Sequence, residues 1–315
     1  MGRVTVVGSF NVDHVWRCPR LPEPGATLAG EYASGPGGKG FNQAVAARRA
    51  GAVTAFICAL GEDAGGQLAR ALASGDGIDL LGEACPTPTG TAGIFVDAEG
   101  RNSIVIGAGA NAALSVTHVE AQAVLIRDSR VLLAQLESPP SAIVHALRIA
   151  REAGVATVLN PAPANADTTT SLLALADVLT PNETEFAGLL ARHTAMAIPP
   201  DAVASAGIEA LHLLCRVLHP HGTVVVTLGG AGCMVSHPDG ATRGDAAVCY
   251  HLPAEPARVV DTTGAGDAFN GALCASMALR PEAPFVDHAG FAGRYAARAT
   301  ERAGAALAMP HLQIG

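Results

Sequence analysis

The sequence predicts an α/β fold: a central, mostly parallel sheet with helices on both faces, plus a small β-sheet lid. Three observations predict it. Short β-branched runs recur along the 315-residue chain between helical stretches of 10–15 residues, the rhythm of right-handed crossover units. Two strand-rich segments, 12–36 and 88–108, break that rhythm and are expected to meet in space over the carboxyl ends of the main strands. Hydrophobic residues make up 49% of the chain and charged residues 15%, enough apolar material for a large core and too little charge for extended disorder. A single domain spanning 1–315 is expected, with 12–36 and 88–108 forming its lid.

The elements follow in order. RVTVVG (3–8) is a β-branched run ending at glycine. The Pro- and Gly-rich stretch after it suits short, half-exposed strands. From Lys39 to Ala50 the small residues of GFNQAVAARRA read as a helix that Gly51 stops. AVTAFICAL is a strand, GEDAGGQLARALASG a turn and helix, and TAGIFVDAEGRNSIVIGAGA a hairpin turning at AEGRN. A strand at VLLAQL, a helix from Pro140 to Ala153 and strands at ATVLNP and DVLTP come next. Helices open at Asn182 and cover about 200–218, TVVVTL runs into Gly-rich GGAG, and DTTGAGDAFNGALCASMAL is a turn and helix before a last helix near 285–300.

Composition excludes several functions. A formal net charge of −8 with no dense basic run argues against a nucleic-acid footprint. No apolar stretch is long enough to span a membrane, and the N-terminal residues lack a signal-peptide plan. The seven cysteines are scattered without a CxxC pair, as in a reduced cytoplasmic protein, and the eleven histidines form no HExxH pattern. GSFNVD after the first strand is not GxGxxG, so a dinucleotide-dependent oxidoreductase fails, and no Walker-A sequence is present. Of 20 basic residues the only lysine is Lys39, inside GPGGKG. It is either a remnant of an arginine bias or a compact ammonium that a guanidinium cannot replace.

The most informative segment is Asp261 to Asp267, a strand end, glycine turn and helix start. Gly264 and Gly266 let backbone approach a ligand, and the amides of 264–267 form an anion site at the positive end of a helix. Asp267 stands where a carboxylate could take a proton from an attacking hydroxyl; the plain alternative is an N-capping Asp. Asn182 and Glu185 open another helix, either to hold hydrated Mg²⁺ or simply as a capping box. Gly229 to Gly232 could lie beside a flat ligand such as adenine, or be a hairpin turn. Asn11 and Asp13, two apart on an extended segment, project to one face and could bond adjacent hydroxyls. Glu137 stands at a strand's carboxyl end, where open α/β sheets bind ligands.

With GGKGFNQAVAA and DTTGAGDAFNGAL at their two ends, and FVDAEGRN, GAGANAALS, QLESP, NPAPA, TPNETE and TLGGAG in order between, the chain resembles the ribokinase-like (PfkB-type) carbohydrate kinases over its whole length. Their bacterial ribokinase branch is the most similar. The resemblance implies the ribokinase-like fold and ATP-dependent phosphorylation of a primary hydroxyl on an unphosphorylated sugar, first of all D-ribose. 2-Deoxyribose, fructose or adenosine are alternatives, and an inactive sugar sensor is a further one.

The resemblance also implies roles. Asp267 becomes the catalytic base, and Gly264, Ala265 and Gly266 the anion hole. Asn11, Asp13, Gly38, Lys39, Asn42 and Glu137 become sugar contacts. Asn182, Thr227, Gly229 and Gly232 become nucleotide contacts, with Glu185 a Mg²⁺-linked acid. Asp261, Thr263, Ala299, Arg302 and Gly304 align with ligands of a monovalent cation, usually K⁺. Three positions depart: Phe41 stands for a small Ala and implicates the sugar pocket, Gly293 lacks a side chain expected near adenine, and Ala308 replaces a Ser near the cation. A homodimer through the lid is expected, because strand-rich lids expose edges.

Overall fold

The structure, a computed structural model, describes residues 2–312. In chain order its first half runs β1 (Arg3–Val7), β2 (Asn11–Arg17), β3 (Glu31–Gly37), α1 (Lys39–Arg49), β4 (Val53–Gly61), α2 (Ala64–Asp76), β5 (Asp79–Cys85), β6 (Gly90–Val96) and β7 (Asn102–Gly107). After these come α3 (Val116–Ala121), α4 (Ala123–Arg127), β8 (Val131–Ala134), α5 (Pro140–Glu152), β9 (Ala156–Leu159), α6 (Thr170–Leu173) and β10 (Val178–Leu179). The remainder is α7 (Glu183–His193), α8 (Pro200–Val203), α9 (Ile208–Leu218), β11 (Thr223–Thr227), β12 (Cys233–Ser236), β13 (Cys249–Leu252), α10 (Ala265–Leu279) and α11 (Phe285–Ala299).

The main sheet has nine strands in the order β13-β12-β11-β10-β9-β8-β1-β4-β5. Its pairings are parallel except β11 with β12 and β12 with β13, an antiparallel hairpin at one edge. Alternation along β4 shows how both faces are covered. Phe56 and Cys58 join the core under α1, α10 and α11, while Ile57 and Ala59 join the core under α5, α7 and α9.

A second sheet of four strands has the order β3-β2-β6-β7. Segments 12–36 and 88–108 therefore do pair with one another, through the parallel register of β2 and β6. The chain passes from the main sheet at Val7 into the small sheet at Asn11, so that short crossing is the junction between the two.

Some expectations need correction. The single helix over about 200–218 is two, α8 and α9, because Gly207 takes an extended conformation (φ −62, ψ 148) that breaks the helical run. Strand β5 follows α2 and pairs in parallel with β4, but its DLLGEAC has no β-branched residue to signal a strand; the β12–β13 edge hairpin carries no helix between its strands, so the crossover rhythm did not reveal it. Phe41 does not face the sugar side. Its ring is 1% exposed, packed edge-on to Phe10 at a centroid distance of 5.1 Å and against Phe56 at 6.0 Å. That ring fills the core, so it does not shape a ligand pocket.

Helices α1 and α10 cross closely because the contact is made of small residues. A Cβ on Gly271 would lie 2.4 Å from the Gln43 carbonyl oxygen and 2.5 Å from the Ala46 Cβ. This approach brings the start of α1, with Asn42 and Gln43, onto the first turn of α10, with Asp267.

Candidate active site

The site lies at the carboxyl ends of the parallel strands, beside the crossing into the small sheet. Gly264 begins α10 in the left-handed region at φ 75, with Ala305 packed 2.9 Å from where its Cβ would be. Asp267 sits one turn later, buried. Its Oδ2 accepts from Asn42 Nδ2 at 2.9 Å and its Oδ1 from Gln43 Nε2 at 2.8 Å. Burial pushes this carboxyl above the ordinary range, although Lys39 and the two amide donors pull the other way. Of the turn amides, that of Ala265 donates to the Thr262 carbonyl at 3.1 Å. The amides of Gly266 and Asp267 are left by helix geometry without an intrahelical acceptor.

The residues expected to meet a sugar converge on this carboxylate. Gly38 holds φ 86, and a Cβ there would lie 2.8 Å from Phe10 Cα and Asn11 N, so only glycine lets the start of α1 press on the β1–β2 crossing. Asn42 keeps its Oδ1 buried with no partner in the chain, an acceptor left for a ligand hydroxyl. Asn11 Oδ1 accepts from Asn111 Nδ2 at 2.8 Å, so the group left for a ligand is its Nδ2. Glu137 Oε2 accepts from Ser9 Oγ at 2.5 Å and from the Lys39 amide at 3.1 Å, fixing it at the positive end of α1. Asp13 is pushed up to about 6 by burial first, then by the charges of Glu137 and Asp267, with Lys39 partly offsetting them.

Lys39 is the counter-charge of this acidic group. Burial alone would lower its pKa, but Asp267, Glu137, Glu185 and Asp13 more than offset that, and the ammonium is held above its usual range. The lone lysine therefore stands among four carboxylates.

Glu185 and Asn182 form the capping box that was the plainer alternative. Asn182 Oδ1 accepts from the Glu185 amide at 2.8 Å, and Glu185 Oε2 from the Asn182 amide at 3.0 Å. Glu185 Oε1 stays outside the box. Burial raises its pKa, and Lys39 and Asp267 are near enough to shift it in opposite directions. The cap thus also faces the site. Thr227 makes a parallel bridge to Asn182, and Gly229 to Gly232 form the β11–β12 hairpin turn. Gly232 holds φ 96, with Leu252 O 2.1 Å from where a Cβ would be, so no other residue fits.

Asp261 joins two loops: Oδ1 accepts from the Thr263 amide and Oδ2 from the Gly304 amide, both at 2.9 Å. Its pKa is raised by burial, but these bonds and the charge of Arg17 outweigh that and hold it below the usual range. Ala299 ends α11 next to these loops, while Arg302 is exposed on the turn between them. The loops 261–263 and 299–304 are thereby held side by side; the Thr262 and Thr300 carbonyls accept from backbone amides, and the other carbonyls are of the donor type that suits a weakly hydrated monovalent cation. Gly293 on α11 has open space where a side chain would begin, and Ala308 is buried. A wide cleft at the opposite end of the strands, between Arg130, Ala156 and Pro281, holds none of these groups.

Sequence reasoning passed over Ser9, Gln43 and Asn111, and over a row of buried polar residues beneath the site, Gln135, Asn160, Thr180 and Asn270. The available signal was a polar residue directly after each apolar strand, in LLAQL, TVLNP and DVLTP.

Comparison with known proteins gives a consistent picture. The profile of the pfkB family carbohydrate kinases matches residues 1–312. The chain is 39% identical to the ribokinase of Haemophilus influenzae over 315 residues, covering 98% of this chain and 96% of that one. It is 40% identical over 287 residues to the bifunctional ribokinase/ribose-5-phosphate isomerase A of Fructilactobacillus sanfranciscensis; this covers 89% of the chain but only 49% of that longer protein. Among solved structures, Arabidopsis thaliana ribokinase complexed with ribose and ATP superposes with a TM-score of 0.80 at 29% identity, over 98% of this chain and 96% of that one.

Proposed function

Because the chain belongs to the pfkB family of carbohydrate kinases, we propose that it transfers the γ-phosphate of ATP to the primary hydroxyl of D-ribose, giving ribose 5-phosphate. The observation that carries this reading is the buried Asp267, its basicity raised, in the first turn of a helix whose leading amides lack an intrahelical acceptor and suit an anion. As the sugar oxygen attacks phosphorus, its proton passes to Asp267; the new P–O bond forms while the bond to the bridging oxygen breaks and ADP leaves. The amides of Gly266 and Asp267 offset charge on the transferring group. Asn11, Asp13, Gly38, Lys39, Asn42 and Glu137 hold the sugar, supported by the unpartnered acceptor of Asn42 and the donor left on Asn11.

Asn182, Thr227, Gly229 and Gly232 line the nucleotide side, where the open turn leaves room for a flat base. Mg²⁺, when bound through water by Glu185, supplies neutralisation of phosphate charge. K⁺ fits the carbonyl-rich loops tied together by Asp261, at 261, 263, 299, 302 and 304. We read the reaction as cytoplasmic, where ATP is available; no helix among the described residues is long and apolar enough to cross a membrane. The small sheet is read as a lid that excludes water from the phosphoryl group.

Coupled-assay ADP release with Mg²⁺, against ribose, 2-deoxyribose, fructose and adenosine, each with and without K⁺, tests the reading. Strongest turnover on ribose is expected, with K⁺ raising it despite Ala308. Turnover confined to another substrate would sink the assignment of ribose, and sugar binding without any turnover would favour the sensor.

The raised pKa of Asp13 predicts a pH effect. At pH 8 it is a carboxylate that accepts a sugar hydroxyl; below about 6 it is protonated. The KM for ribose should rise as pH falls through that value, and the inflection should be missing in Asp13→Asn. A raised carboxyl pKa favours the folded state at low pH and loses that contribution as pH climbs to about 6. Asp13→Asn should therefore melt no lower than the parent at pH 8.

A homodimer through the small sheet is part of the proposal. All six residues of β7 are exposed, with Ile104 at 50%, Val105 at 68% and Ile106 at 50%, an apolar edge that a second copy would cover. Light scattering should give twice the chain mass, and Val105→Glu should give one; a parent that is monomeric at micromolar concentration would end this part.

A further inference from the structure

Three neighbouring strands of the main sheet, β8, β9 and β10, each end in a polar residue: Gln135, Asn160 and Thr180. With Gln43 on α1 and Asn270 on α10 they make five uncharged polar side chains, each no more than 6% exposed, directly beneath the site. Burying such groups is costly unless their hydrogen bonds are made. Here they are made in one sense only, with Gln135 Oε1 the one acceptor among them that is buried without a partner.

The order follows from the carboxylate. Asp267 Oδ1 can only accept, so Gln43 presents its Nε2 at 2.8 Å. The second proton of the same Nε2 goes to Asn160 Oδ1 at 3.1 Å, and Gln43 Oε1 accepts from Gln135 Nε2 at 2.5 Å. Asn160 Nδ2 donates to the Thr180 carbonyl at 3.0 Å. Thr180 Oγ1 donates to Asn270 Oδ1 at 2.5 Å, and Asn270 Nδ2 donates to the Gly266 carbonyl at 2.9 Å. That carbonyl belongs to the peptide unit whose other end is the amide of Asp267. The circuit starts on the carboxylate of Asp267 and returns to the peptide that carries its own N–H.

We propose that Gln43, held by Asn160, Thr180 and Asn270, is a positioning residue of the phosphoryl-transfer site. The circuit locks the Asp267 carboxylate and the Gly266–Asp267 peptide to one another, so that the base and an anion-binding amide keep a fixed geometry. This rests on the reading of Asp267 as the base. Asn42 on Oδ2 and Gln43 on Oδ1 together stop rotation of the carboxylate, so the lone pairs left for a substrate hydroxyl keep fixed directions. Asn270 holds and polarises the peptide plane through its oxygen, which strengthens the N–H at the other end. Misplacement of a reacting group by about 1 Å costs on the order of 10²-fold in rate. Gln43 also donates to the charged form of the base, so its loss should make the carboxylate harder to ionise.

The test separates position from mere stability. Gln43→Met keeps the bulk of the side chain and removes its hydrogen bonds; Thr180→Val breaks the circuit at a residue that does not touch Asp267, and Thr180→Ser restores the hydroxyl. With ribose and ATP, Gln43→Met should lower kcat about 10²-fold with both KM values within about twofold, and should move the acid limb of the kcat profile to higher pH. Thr180→Val should lower kcat about tenfold, the effect of losing one buried hydrogen bond, and Thr180→Ser should recover it.

Melting temperatures that fall while kcat and the acid limb stay at parental values would overturn the proposal. If Gln43→Met does not fold, the Thr180 pair decides alone. Asp267→Asn in the same assay keeps the two readings apart. Near-normal turnover there removes the base assignment and the proposal with it. An inactive Asp267→Asn beside unimpaired Gln43 and Thr180 variants removes only the positioning role.

Discussion

Asp267→Asn should lower kcat by about 10³–10⁴-fold while leaving ATP affinity within a few-fold of the parent. The change swaps a proton acceptor for an isosteric amide, so it removes the base without opening a cavity. The fold should tolerate it. Asn42 has a buried Oδ1 with no partner, and turning its amide over would present that oxygen to the new NH₂ while Gln43 still donates to the remaining carbonyl. The parent carboxyl also titrates above its ordinary range, chiefly through burial, so its ionised form destabilises the folded state near neutral pH. Asp267→Asn should therefore melt at or above the parental temperature at pH 8. A calorimetric scan combined with steady-state kinetics checks both halves; an unstable variant would mean that the loss of turnover says nothing about proton transfer.

If Lys39 holds the sugar as proposed, Lys39→Met should lower kcat/KM for ribose by about 10²-fold, mostly through KM, through loss of one charge-assisted contact. A second consequence follows from its four acidic neighbours. Without the ammonium, Asp13, Glu137, Glu185 and Asp267 repel one another with no internal counter-charge. The variant should be less stable than the parent at pH 8 and should regain stability as pH is lowered, beginning above the parental Asp13 value of about 6, because the loss of Lys39 lets Asp13 take up its proton earlier. Lys39→Arg should not restore the sugar KM, since a planar, forked guanidinium does not reproduce a compact ammonium set among four carboxylates. Thermal melts across pH 5–9, run beside the kinetics, would expose the error if stability proved independent of pH.

Much of this site could be read before any coordinates, because its chemistry is concentrated in short contiguous runs. The turn at 261–267 declares itself by two glycines, an acid and a helix start. The capping box at Asn182 was visible together with its ambiguity; the fold forms the box, with one Glu185 oxygen closing it and the other left outside. What could not be read was long-range. The Gln43 to Asp267 bond joins residues 224 positions apart, and nothing local tells an amide facing a carboxylate from one facing solvent. Phe41 misled for a related reason. Adjacent residues on a helix point about 100° apart, so a side chain next to a ligand-facing Asn42 is free to point into the core. The hairpin of β12 and β13 escaped because pattern reading expects a helix between paired strands, and β5 because DLLGEAC lacks β-branched residues.

The junction between the two sheets has a mechanical consequence. Asn11 stands at the pivot, Asp13 two residues out, and Trp16 five residues out along the same strand. At ~3.3 Å per residue, a swing of the small sheet by ~20° would carry Asp13 only ~2 Å but Trp16 nearly ~6 Å. The lever arm is short at Asn11 and Asp13 and long at the rim, so a sugar held there as proposed would be kept while the entrance gapes. Trp16 is the chain's single tryptophan, stacked on Phe95 at 5.3 Å. Its emission is a built-in gauge at the end of the arm that travels farthest.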